Sequence, residues 1–263
     1  MTQGVMGGLG PREESSRSAS FHTDVASRDQ LDAALTRRGF AFVAGADMRQ
    51  MLLDAGSLSD WDRFAESWND LALDTYMKDG GRYRRRRHGV YLVDQHGGVT
   101  RNPHQPHYQS LDHNNLNGGI DRWFEPVSQE AGSSGSMRTL LDFCRATFSV
   151  QSPSTKVWHV EVHQFRIEAS TGEPGNPTPE GMHRDGVDHV LVLLVGRRNV
   201  ARGTTTIAGP DGRDLGSFTL ADPLDAALVD DHRVFHDVTP IEPFDPAMPA
   251  YRDVLVMTFR RQT

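Results

Sequence analysis

A protein of 263 residues with 35 acidic against 28 basic residues carries a formal net charge of −7, and its acidic residues are spread rather than blocked. That balance excludes a general nucleic-acid binder, which shows a basic face and a high isoelectric point. The single cysteine, Cys144, excludes an intrachain disulfide and a cysteine-based metal site, and no apolar run approaches the roughly 20 residues of a membrane span. A reducing, cytoplasmic setting without membrane or nucleic-acid partners is expected, with the oligomeric state open.

The opening stretch, MTQGVMGGLGPREESSRSAS, is polar and rich in Gly and Ser, without the basic start or apolar stretch of a secretory signal. Residues 1–20 are expected to form a flexible tail and residues 21–263 a single domain. From Ser27 an N-cap, apolar Leu31, Ala34 and Leu35, and a stop at Gly39 predict a helix. FAFV then reads as a short strand. DMRQMLLDAG and LSDWDRFAESWNDLAL are two further helices, the second capped by Ser59 or Asp60. After Asp79-Gly80-Gly81 the pattern turns to strands: GRYRRRRHGVYLV, KVWHVEVHQFRIEA, HVLVLLVGRRNV, GTTTIAG, GSFTL, AALVDDHRVFHDVTPI and RDVLVMTFRR. GPDG, ADP and EPFDPAMP mark turns or loops between them. Helices first and short strands afterwards indicate an α+β protein with a double-stranded β-helix (jelly-roll, cupin-like) core on which the N-terminal helices pack.

The stretch PTPEGMHRDGVDHVLVLLV carries the chemistry. Residues i and i+2 of a strand share a face, so His183 and Asp185 at the start of this strand project together. With a second His from a later strand they complete a facial triad of two His and one carboxylate, which leaves positions open on Fe(II) for substrate and dioxygen. DDHRVFHDVTPI offers His232 and His236; His236 is preferred because Asp230-Asp231 reads as a turn and His236 lies farther inside the strand. A 2-oxo acid bound there needs a cation for its distal carboxylate, and Arg252, opening the last apolar strand, is placed to supply it. In a protein with 12 His a His-x-Asp pair also arises by chance. Spacing alone leaves a cupin-like metal enzyme that does not use 2-oxoglutarate, or a non-catalytic jelly-roll binding module, as alternatives.

These motifs, in this order with TTTI, LADPLDAALVDD and the RYRR, HYQSLDHNNLNGGIDRWFEP and HQFRI stretches, resemble the bacterial Fe(II)/2-oxoglutarate dioxygenases that include L-isoleucine 4-hydroxylase. The likeness runs from about Gly81 to Phe259. It implies a metal site of His183, Asp185 and His236, with Arg252 as the 2-oxoglutarate anchor. It also implies hydroxylation of a free amino acid, using Fe(II), 2-oxoglutarate and O2 with ascorbate helpful in vitro, and releasing succinate and CO2. Related halogenases replace the metal carboxylate with a small residue, so the presence of Asp185 favours hydroxylation over chlorination.

An amino-acid substrate needs a cation and acceptors in its pocket. Arg166 in HQFRI is the first candidate for the carboxylate, with an internal ion pair, for instance to Glu161, as the competing role. Tyr108, Gln109 and Asn115 are expected to line the pocket, unless their loop only satisfies its own backbone. Alternation puts Arg82, Arg84 and Arg86 on one face of RYRRRR and Arg85 and Arg87 on the other. A solvated, ion-paired strand is the simpler reading, with Arg84 able to reach an anionic substrate. His104, His107 and His113 fit no standard zinc spacing and are read as surface or pocket residues.

Overall fold

The computed structural model describes residues 25–262, so the tail expected over 1–20 lies outside the described residues. Helix α1 (Arg28–Arg38) begins at Ser27, whose Oγ accepts from the Gln30 N–H, and ends at Gly39 in the left-handed region (φ 80°). Strand β1 (Phe40–Val43) and helix α2 (Gly45–Ala55) follow as the sequence predicts. The next predicted helix is cut short. Helix α3 (Trp61–Glu66) tightens into a 3-10 turn at Ser67–Asp70, and Ala72–Leu73 is a strand, β2. Leu73 pairs with Arg85, and Ala72 with Arg86, of strand β3 (Arg84–Asp94), so sheet pairing overrides the helical pattern there.

Strand β4 (Val99–Arg101) and the one-turn helix α4 (Gln129–Gly132) lead to α5 (Gly135–Gln151), a helix the sequence reading does not predict. Its signal is nonetheless present. Met137, Leu140, Leu141, Cys144 and Phe148 recur at helical spacing and are all buried, and Ser134 caps the Met137 N–H. Asp60 adds a tertiary cap, accepting from the N–H groups of Gly135 (2.7 Å) and Ser136 (2.9 Å). That explains why the Asp60 carboxylate does not cap its own helix α3.

Strands β5 (Val157–Ala169), β6 (His189–Arg198), β7 (Val200–Arg202), β8 (Thr204–Ala208), β9 (Asp214–Thr219), β10 (Ala226–Asp230), β11 (Phe235–Val238), β12 (Ile241–Pro243) and β13 (Ala250–Arg261) complete the fold. The main sheet runs β1-β10-β6-β13-β5-β3-β2, with β4 on β3; β11-β8-β9 forms a second sheet and β12-β7 a two-stranded ribbon. These strands pair antiparallel, giving the jelly roll with helices on one side.

The period of two divides the main sheet cleanly. Trp158, Val160 and Val162 of β5, Leu191, Leu193 and Val195 of β6, and Leu255, Met257 and Phe259 of β13 pack with the helices. Val190 and Leu194 of β6 and Val254 of β13 face the other way, joining Ile207 and Phe218 of the second sheet. Burial of these apolar side chains holds the helices on one face of the main sheet and the second sheet on the other. Towards one end the inter-sheet layer opens into a cavity.

Candidate active site

His183 and Asp185 do not begin a strand. Strand β6 starts six residues later than His183, at His189, and the intervening segment is a turn. Gly186 there has φ 78°, and a Cβ on it would run into the His113 ring, so the turn needs glycine. Asp231, only 2% exposed, holds the turn by accepting from the N–H groups of Asp185 (2.9 Å), Gly186 (2.7 Å) and Val187 (3.1 Å).

His183 joins His236 of β11 through an isolated antiparallel bridge with reciprocal N–H···O bonds of 3.0 Å. Directly opposed residues share a face, so the two rings lie together, centroids 4.5 Å apart. Asp185 Oδ1 is 3.9 Å from His183 Nε2, and its Oδ2 is 3.7 Å from His236 Nε2. The donor atoms of all three lie within 4.8 Å of one another. His183 Nδ1 sits 2.8 Å from the Gly181 carbonyl, which fixes the proton on Nδ1 and leaves the Nε2 lone pair facing inward. His232, the other candidate, is at the exposed rim, its Nε2 3.0 Å from Asp188.

The electrostatics ask for a cation. Burial pushes the Asp185 carboxyl up to about 7. Burial, then the neighbouring His183, pushes His236 well below the ordinary imidazole value. For His183 burial acts downward, but the charges of Asp185 and Glu180 outweigh it and raise it. Two imidazole nitrogens and one carboxylate facing one another fit a divalent ion of the Fe(II) kind, which would replace the proton that His183 and Asp185 otherwise compete for.

The triad opens onto a cavity of ≈ 1010 Å³, including its mouth, between the two sheets. Arg252 lines it, 2% exposed, with Nε and Nη2 lacking any hydrogen-bond partner among the described residues. Burial, then the charge of its registered neighbour Arg197, lowers it to about 10, so it stays cationic at neutral pH. Arg84, Tyr108 and Gln109 also line the cavity. Arg84 is already held by Asp74 at 2.8 Å, Tyr108 stands 54% exposed at the rim, and the Gln109 amide donates to the Asp185 carbonyl at 3.2 Å. Arg166 and Asn115 do not line the cavity. Asn115 faces an adjoining surface hollow with Asp112, His113 and Arg184, which shares His183 and Glu180 with the cavity. Arg166 belongs to the helix-side parity of β5 and makes a two-pronged pair with Asp253 (2.7 Å each), so the ion pair is real but its partner is not Glu161.

Glu161 has a different company, which the sequence reading missed. His107 Nδ1 contacts its Oε2 directly, and His88 Nε2 and His163 Nε2 stand 3.3 and 3.6 Å from the same oxygen. These groups could be taken for a second metal site. The tautomer argues otherwise. Arg86 Nη2 lies 2.8 Å from His163 Nδ1, and arginine can only donate, so the His163 proton is on Nε2 and points at Glu161. Burial lowers His88 and His163, and His107 to about 4, leaving neutral rings. Burial alone would raise Glu161, but hydrogen bonds from the imidazoles outweigh it and keep it anionic. His163 and Glu161 share a face in the sequence alternation; His88 and His107 arrive from β3 and a distant loop, beyond any local pattern.

Fold and site together define a class, the jelly-roll proteins that hold a mononuclear metal between their sheets. The 2OG-Fe dioxygenase family model matches residues 65–258, and the protein belongs to that family, whose enzymes use Fe(II), 2-oxoglutarate and O2. It is 24% identical over 234 residues to a 3(1)-hydroxy-L-isoleucine 4-dioxygenase of Pantoea ananatis, covering 86% of this protein and 94% of that one. It is 27% identical over 157 residues to an L-isoleucine-4-hydroxylase of Bacillus thuringiensis, covering 58% and 64%. Among solved structures, a bsmA homolog from Methylobium petroleophilum superposes with TM-score 0.81 at 38% identity, covering 91% of this protein and 96% of that one.

Proposed function

We propose that the protein hydroxylates an unactivated C–H bond in the side group of a free L-amino acid, aliphatic or cyclic such as isoleucine, leucine, proline or pipecolate, in the cytoplasm. Succinate and CO2 are released from 2-oxoglutarate. In this reading His183, Asp185 and His236 hold Fe(II), and Arg252 takes the distal carboxylate of 2-oxoglutarate. The observation that carries it is the pairing of the triad with a buried, unpartnered Arg252 in one cavity. A guanidinium left without an anion in an apolar layer costs several kcal/mol unless a ligand completes it. Relatives named for isoleucine oxidation supply the substrate class.

Each residue has a definable task. The His183 and His236 rings present lone pairs, and Asp185 presents an anion, to the metal. Iron with 2-oxoglutarate and O2 supplies the oxidising power, while the protein supplies position and dryness. Val192, Val254 and Val256 line the hollow with hydrocarbon, which keeps water from the reacting C–H bond and offers no competing polar group. Gln109 steadies the Asp185 backbone by donating to its carbonyl.

The test is succinate formation from 2-oxoglutarate with Fe(II) and ascorbate, across free L-amino acids including proline and pipecolate. Acceleration by a few of them, abolished in Asp185→Ala with the fold intact by circular dichroism, is the expected result. Succinate absent under all conditions from folded, iron-loaded protein would point to a metal enzyme independent of 2-oxoglutarate.

A further inference from the structure

The arginines of the cavity are not equivalent. Arg84 binds Asp74 through Nε and Nη2, both at 2.8 Å. Arg86 stands 3.7 Å from the same carboxylate, donates to His163, and is stacked over Phe124 (3.7 Å) and Phe165 (4.5 Å). Arg260 is exposed and donates to the Gly186 carbonyl. Two guanidiniums remain, each 2% exposed and each with Nε and Nη2 unpartnered: Arg252 and Arg122. Arg122 makes no ion pair among the described residues; the Phe124 ring lies 5.8 Å from it, and Asp74, Glu180 and Glu161 act on it only from beyond ion-pair distance.

Arg122 is also held firmly in place. Its backbone exchanges two N–H···O bonds of 3.0 Å with His107, an opposed pair whose side groups share a face. His107 in turn contacts Glu161, so a buried cation and a buried anion are brought to the same part of the wall. Glu180, whose Oε2 also lacks a partner, lines the same cavity. A simple dicarboxylate would meet repulsion from these acids, whereas a molecule with one carboxylate and one ammonium suits both signs.

We infer that Arg122 is the anchor for the α-carboxylate of the amino-acid substrate, distinct from the Arg252 end of the cavity. The inference rests on the hydroxylase reading above and names the residue that makes it selective for free acids. Arginine matches a carboxylate with parallel N–H bonds, so a neutral carboxamide is a poor replacement.

The experiment measures 2-oxoglutarate consumption with each proteinogenic L-amino acid, pipecolate, and the matching primary carboxamides, for the wild type, Arg122→Met and Arg122→Lys. In the wild type the free acids should be preferred over their carboxamides by about 100-fold in kcat/KM. In Arg122→Met the amino-acid KM should rise by a similar factor, far more than the KM for 2-oxoglutarate, and the acid-over-amide preference should collapse towards unity. Arg122→Lys should restore part of that preference, a result that a merely structural arginine would not give. Equal use of acids and amides by the wild type, or a rise confined to the 2-oxoglutarate KM, would overturn the inference. So would 2-oxoglutarate turnover that no amino acid accelerates, although the enzyme class would then stand. No turnover at all would remove the hydroxylase reading itself, and the inference with it.

Discussion

At the scale of single residues, the carboxylate that positions the triad matters as much as the triad. Asp231 contributes nothing to the cavity, yet both its oxygens are spent on the turn that carries Asp185. Asp231→Ala is expected to strip these N–H groups of their acceptor, costing about 2 kcal/mol of stability and weakening Fe(II) binding about 10- to 100-fold. Urea unfolding and calorimetric titration with Fe(II) under anaerobic conditions check both. The sequence makes Asp230-Asp231 legible as a turn. It cannot show that one of the two reaches back across 46 residues to the turn that carries Asp185, because that contact exists only once β10 and β6 are paired.

At the scale of elements, alternation is the most informative signal in the sequence, and its one misuse is instructive. On β5 it puts Glu161, His163, Phe165 and Ile167 on one face, and these are the residues that line the cavity. The same alternation assigns Arg166 to the opposite face with Trp158, and there it meets its registered partner on β13, Asp253. A substrate role for Arg166 therefore conflicts with the face its own strand gives it. On β3 the rule works again: Arg84 and Arg86 enter the cavity while Arg85 and Arg87 pair with Glu168 and Asp70 outside. Arg166→Met should lower stability by about 3 kcal/mol, since it strands a buried Asp253, and leave the amino-acid KM within about twofold. Chemical denaturation and steady-state kinetics on one preparation decide this. What the strands could not announce was the turn before β6. His-x-Asp looks like a strand because the apolar run follows it, but Gly186 and Asp231 break the extended segment first.

For the whole molecule, the helical layer adds its own share of acid sensitivity to that of the buried cavity histidines. His189 begins β6 on the helix side, 3% exposed, stacked on Phe148 at 4.7 Å and edge-on to Trp158. Burial lowers it to about 4 from an ordinary 6.5. The unfolded protein therefore binds a proton between these values that the native protein refuses. Stability is full above pH 6.5 and falls towards pH 4 by about 1.4 kcal/mol per unit from this residue alone. His189→Phe should reduce the loss between pH 7.5 and 5.5 by about 1 kcal/mol, read from urea midpoints at the two pH values. The layer arrangement that produces this is largely visible in the sequence, as helices followed by strands. Helix α5, which supplies Phe148, is the element it hides, its polar Thr139, Asp142 and Arg145 masking a buried stripe.

Arg122 and Arg252 give the fold an unusual dependence on its surroundings. Both are buried in the cavity wall, and among the described residues the Nε and Nη2 of each lack a hydrogen-bond partner, so the apo protein leaves part of each guanidinium's bonding unmet. Any small carboxylate able to enter from solution joins the fold as well as the site, and mass action then ties folding to the concentration of such acids. On the reading proposed above, the supply of its reactants would then set how much of the protein stays intact.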